Sequence, residues 1–141
     1  MMSPSALALL AYVAWVLLLA IAIVTFRTGY VLTKKRAANS FAPFGSDVSA
    51  FSGRLCRAHA NCYENLPIFA AIILVALVTD NAGVTDSLAR WVVLARVAQS
   101  TVHLISTSQM AVTLRATIFT VQLGIEAYWV IQLGLLGCSC N

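Results

Sequence analysis

From Ala6 to Phe26 the chain carries no charged residue. Crossing the hydrocarbon of a bilayer takes roughly 20 apolar residues of helix, so this stretch alone is long enough to span. A cleaved secretory leader would place basic residues before the apolar run. Here nothing basic precedes it, whereas Arg27, Lys34, Lys35 and Arg36 follow. That bias predicts an amino terminus outside and a cytoplasmic first loop.

Three further apolar stretches follow. Leu66 to Val78 extends back through the more polar Arg57–Asn65, Leu88 to Ser108 is broken by Arg90, Arg96 and His103, and Ile118 to Leu136 is broken by Glu126. The expected architecture is a single all-α domain over residues 1–141, an integral membrane four-helix bundle with spans at about 5–27, 57–79, 87–108 and 113–136. Composition agrees: 60% of residues are hydrophobic and 10% charged, against about 25% charged in a soluble domain. No stretch alternates as a membrane barrel requires. The net charge of +4 is explained by topology rather than by nucleic acid. The turn Thr79 to Ser87 reads as short and external, with Asp86 or Ser87 capping the third helix. The connection around Ser106 to Arg115 returns to the cytoplasmic side, leaving both termini outside. Cys56, Cys62, Cys138 and Cys140 lack zinc-type spacing, and none sits in an activating constellation.

Polar residues inside the apolar stretches fall at helical spacing. Arg57, Asn61 and Glu64 share one face of the second helix, Arg96, Gln99 and His103 one face of the third, and Arg115, Gln122 and Glu126 one face of the fourth. Three aligned stripes predict a polar cleft between helices, open at the cytoplasmic end. Glu126 lies about 16 Å along the helix from Arg115, and Arg96 about 18 Å before Ser108, so both sit near mid-membrane. An isolated ion there costs several kcal/mol or more, which predicts that Arg96 and Glu126 neutralise each other directly or through Gln122. Pro67 frees the carbonyl of Tyr63, for Asn65 or a neighbouring helix to satisfy. Helical spacing turns His59 away from the Arg57–Glu64 stripe, as a packing or surface residue. Chemically, Arg57, Arg96 and Arg115 suit carboxylates or a thiolate. Asn61 and Glu64 suit peptide amides and an ammonium group. A small anionic ligand that also bears an amine matches the set.

The stretch Arg57-Ala58-His59-Ala60-Asn61-Cys62-Tyr63-Glu64-Asn65-Leu66-Pro67 resembles the helix-two motif of the MAPEG family, the membrane-associated proteins of eicosanoid and glutathione metabolism. Ala95-Arg96-Val97-Ala98 resembles the family's helix-three pattern, and Leu114-Arg115 its helix-four arginine. Gln99 stands where many members have His, and His103 where many have Tyr. The resemblance implies a homotrimer in the lipid bilayer. It implies glutathione as co-substrate between protomers, near the cytoplasmic face, and a lipophilic second substrate arriving from the membrane. It assigns Arg57, Asn61 and Glu64 to glutathione, with Arg96, Gln99, His103 and Arg27 among the binding residues. Arg115 is then the catalytic residue that stabilises the thiolate. Such help is needed because a free thiol ionises near pKa 8.5. The implied activity is a glutathione transferase or peroxidase acting on lipophilic electrophiles. The alternatives are a non-enzymatic lipid- or partner-binding protein of the same fold and, from the mid-membrane Glu126, a small transporter component.

Overall fold

In the computed structural model, residues 1–45 and 47–139 are described, with Ser139 described for its backbone only. Among them are four α-helices: α1 Pro4–Leu32, α2 Ala50–Val78, α3 Gly83–Ile105 and α4 Gln109–Ser139. The helices run beyond the apolar stretches because their ends are capped. Ser3 accepts the N–H of Ala6 ahead of Pro4, and Ser49 accepts that of Ser52, so that α2 starts at Ala50, ahead of its expected span. Ser108 accepts the N–H of Ala111 at the start of α4.

Two C-termini close alike. After α1, Lys34 takes φ 55°, its N–H reaching Val31 O and that of Lys35 reaching Tyr30 O. After α2, Asp80 takes φ 59°, with Asp80 N–H on Leu77 O and Asn81 N–H on Ala76 O. Both are left-handed terminations of the kind glycine usually supplies. The expected cap of α3 is corrected. The helix begins at Gly83 without a side-chain cap. Asp86 lies inside its first turn, and its Oδ1 accepts from both the backbone N–H and the hydroxyl of Ser5, at 2.9 and 2.6 Å. This ties the start of α1 to the start of α3.

Helix α1 packs on α2 and α3, and α4 packs on α3 and, less extensively, α2; among the described residues α1 and α4 are not neighbours. The interior holds Tyr12 and Leu19 of α1, Phe69 and Ile73 of α2, Val92 of α3 and Trp129 of α4. Phe69 links two of these rings, with centroids 5.3 Å from Tyr12 and 6.1 Å from Trp129. Leu10, Leu17, Leu18 and Ile21 instead point outward, as expected of a helix that is apolar all round. Since lipid is as apolar as leucine, helix association in a membrane rests on packing and interhelical hydrogen bonds.

Helices α1, α2 and α4 are long and apolar enough to cross a membrane. Polar residues keep α3 out of that group: Asp86, Arg90, Arg96, Gln99 and His103 all lie within its 23 residues. The loop between α1 and α2 is organised by Arg36, which pairs with the Asp47 carboxylate and donates to Ser40 O at 3.1 Å. Desolvation pushes the Asp47 carboxyl upward. The N–H of Ala42 and the Arg36 guanidinium outweigh that and hold it below the usual carboxylate range.

Candidate functional site: a polar seam through α2, α3 and α4

Members of the three predicted stripes hydrogen-bond between helices along a seam: Asn61 with Arg96, and Gln99 with Gln122 and the Arg115 carbonyl. Arg57 and Glu64 remain exposed on α2 and make no hydrogen bond or ion pair among the described residues, while Asn61 between them is half-buried and faces α3. Asn61 Oδ1 accepts from Arg96 Nη1 at 2.8 Å. Arg96 is fully buried, its guanidinium 5.8 Å from the Tyr12 ring centroid and 5.2 Å from that of Phe119. Cation–π attraction on two sides offsets part of the desolvation of this charge.

Arg96 and Glu126 do not pair directly, contrary to the sequence expectation; the one ion pair among the described residues is Arg36–Asp47. Glu126, 2% exposed, accepts from Asn65 Nδ2 at 2.8 Å. Each buried ion therefore takes an asparagine of α2. Asn61 and Asn65 are four residues apart, so they lie one turn apart on neighbouring positions of one face. The upper amide meets α3 and the lower meets α4. Because Asn65 bonds Glu126, its amide is committed elsewhere than the Tyr63 carbonyl that Pro67 frees. Gln122 does not bridge the ions either. It donates to Gln99 Oε1 at 3.2 Å and to Ile118 O at 3.2 Å.

Towards the α1–α2 loop the seam becomes basic. Arg54 Nε donates to Leu104 O at 2.8 Å, closing α2 onto the end of α3. Arg115 is half-buried in the second turn of α4, with Nη1 on Ser106 O at 3.2 Å. Its own carbonyl accepts from Gln99 Nε2 at 3.3 Å. His103 is half-buried where the fields of Arg115 and Arg57 both reach it. Arg54, Arg57 and Arg115 thus gather at one end of α2, α3 and α4, with His103 beside them. Such a cluster attracts carboxylates and stabilises a thiolate.

Arg27 lies apart from this group. Its Nη2 donates to Ala42 O at 3.0 Å and lies 4.0 Å from Cys56 Sγ, and its guanidinium is 5.5 Å from the Phe41 ring centroid. Within the protomer it anchors the α1–α2 loop. His59 stacks on Tyr63 at 6.3 Å and lines a cavity of about 340 Å³ with Arg27 and Phe44. Cys62 shares a 3.0 Å contact with Ser100 Oγ inside the bundle. Cys140 lies outside the described residues.

Of the seam residues, Asn65 was expected only as a partner of the Tyr63 carbonyl, and Tyr12 and Phe119 escaped the sequence reading. Asn65 continues the Arg57–Asn61 ladder at four-residue steps, a signal visible in the sequence but passed over for Glu64 at the seventh position. Tyr12 and Phe119 read as ordinary apolar residues, since nothing in the sequence shows a ring facing an arginine on another helix.

Three helices long and apolar enough to cross a membrane, with a polar seam between α2, α3 and α4, define a helical membrane protein. A family model, described as the MAPEG family, matches residues 5–135 of the 141, and the chain belongs to that family. No curated protein and no solved structure matches the chain significantly.

Proposed function

We propose that the protein is a membrane-bound, glutathione-dependent transferase or peroxidase acting on lipophilic electrophiles, assembled as a homotrimer. The observation that carries this reading is the pair Arg57 and Glu64. A cation and a carboxylate stand exposed seven residues apart on one face of α2, without partners among the described residues and beside the basic end of the seam. Glutathione offers the matching groups: two carboxylates, an ammonium group, peptide amides and a thiol. In this reading Arg57, Asn61 and Glu64 hold the tripeptide, with Arg96, Gln99, His103 and Arg27 completing the set. Arg115 stabilises the thiolate. A neighbouring protomer brings Arg27 of its own chain towards the site, which accommodates the separation of Arg27 from the seam within one protomer. Membership of the family supports this assignment.

Helix α3, at 23 residues, is about 34 Å long and suffices for a fourth crossing. Its Arg96 and Gln99 are buried against other helices, which removes them from lipid. The basic α1–α2 loop then faces the cytoplasm, with both termini on the opposite side. The test is saturable turnover of a lipophilic electrophile by the full-length protein in detergent or nanodiscs, with strict dependence on glutathione. Binding of glutathione and electrophile without turnover would remove the catalytic assignment.

A second reading is a non-enzymatic lipid- or partner-binding protein. It is favoured by the internal commitments of Asn61, Gln99 and Arg115, and by an apolar groove of about 700 Å³ lined by Trp15, Phe26 and Leu104. Lipid binding that is independent of glutathione would distinguish it.

A further inference from the structure

Several polar atoms deep in the seam are buried without a hydrogen-bond partner. They are Arg96 Nε and Nη2, Gln122 Oε1, Glu126 Oε2 and, one turn further along α4, Trp129 Nε1. Arg96, Gln122, Glu126 and Trp129 are each at most 2% exposed. The set is balanced in kind. Arg96 and Trp129 can only donate, while the free oxygens of Gln122 and Glu126 can only accept. Gln122 and Glu126 are four residues apart on α4 and so share a face. The charge of Arg96 acts on Glu126, yet the two do not form an ion pair.

Leaving such groups bare costs roughly 1–3 kcal/mol each, and more when they are charged. Their free donors and acceptors cannot all be matched by the existing side-chain contacts. Asn61 and Asn65 already engage Arg96 Nη1 and Glu126 Oε1, and Gln99 already engages Gln122 Nε2. Water is a partner of suitable size, which makes about three hydrogen bonds in buried polar sites and can accept from a guanidinium while donating to a carboxylate.

We infer that Arg96, Gln122 and Glu126 form an internal water-binding site, in which bound water bridges the guanidinium to the carboxylate and lets Glu126 position Arg96 against Asn61. The ligand class is water itself, held by one donor side chain of α3 and two acceptors of α4. The consequence for function rests on the proposed glutathione site: Glu126 touches no substrate and acts on Asn61 through Arg96, as a positioning residue.

The test uses the full chain in nanodiscs with ¹⁵N-labelled arginine. The Arg96 Nε–H resonance, identified by its loss in Arg96→Lys, is examined for a cross-peak to water. It should be present although Arg96 is fully buried. It should persist in Glu126→Gln, which keeps a polar partner for water, and weaken or vanish in Glu126→Leu. Gln122→Leu gives the same test should Glu126→Leu not fold. Absence of the cross-peak in the wild type, or its persistence unchanged in both leucine variants, overturns the water site. In parallel, the glutathione Kd should rise about fivefold in Glu126→Leu and stay within about twofold in Glu126→Gln. Equal affinity in both would overturn the positioning role. If the wild type shows the water cross-peak and no glutathione binding, the reading of the substrate fails and the water site stands.

Discussion

Arg96 and Glu126 lie in one buried seam without touching, each held by an asparagine of α2: Asn61 Oδ1 on Arg96 Nη1 and Asn65 Nδ2 on Glu126 Oε1, both at 2.8 Å. This arrangement joins three helices through two amides one turn apart. It also turns α2 into the hub of the polar interior, with Arg57 and Glu64 left free on its outer surface.

Replacing Asn65 by leucine should therefore destabilise the bundle by about 2 kcal/mol, because a charge-assisted bond is lost and buried Glu126 Oε1 loses its protein partner. Thermal unfolding in detergent reads this as a Tm lower by several degrees. A Tm equal to that of the wild type would show that the Asn65–Glu126 bond contributes nothing.

Glu64→Ala should raise the glutathione Kd by roughly thirtyfold, the equivalent of about 2 kcal/mol for a lost hydrogen bond to a charged group. Glu126→Ala should raise it less, since Glu126 acts at a distance. Titration of folded protein gives the order. The reverse order would place the ligand deeper in the membrane than the Arg57–Glu64 surface.

Arg115→Ala should lower kcat by about 100-fold or more, the magnitude of losing one preorganised stabiliser of developing negative charge. The glutathione Kd should change little. In the protomer the Arg115 side chain makes one hydrogen bond, to Ser106 O, so the fold should survive. Full activity in this variant would remove Arg115 from the mechanism.

Gly45 is a structural test outside the seam. Its φ is +63°, and an added Cβ would lie 2.7 Å from Ser52 Oγ and 2.8 Å from Cys56 Sγ. Gly45→Ala should cost about 1–2 kcal/mol in the left-handed backbone alone. Limited proteolysis should then cut the α1–α2 loop faster than in the wild type. An unchanged rate would mean that the loop absorbs the substitution.

The sequence showed the fold through its apolar runs and the site through its stripes, and each signal stopped at a physical limit. The uncharged run after Ala6 made α1 plain. The helix ends were harder: Ser49 extends α2 back to Ala50, while Lys34 and Asp80 occupy left-handed positions that sequence rules assign to glycine. Asp86 was expected to cap α3 and instead bonds Ser5 of α1, a pairing that no local pattern encodes. The stripes on α2, α3 and α4 were legible because helical spacing fixes a face. Spacing does not fix partners across helices. Charge alone suggested Arg96 with Glu126, and the relative height of Asn61 and Asn65 on α2 decided otherwise.

The most direct test of the central claim is calorimetric titration of the full-length protein with glutathione in detergent or nanodiscs, with thiolate absorbance followed in the ultraviolet. The expected result is saturable binding with a thiolate signal that is lost in Arg115→Ala while binding remains. A well-folded wild-type protein that releases no heat and shows no thiolate would contradict the glutathione assignment.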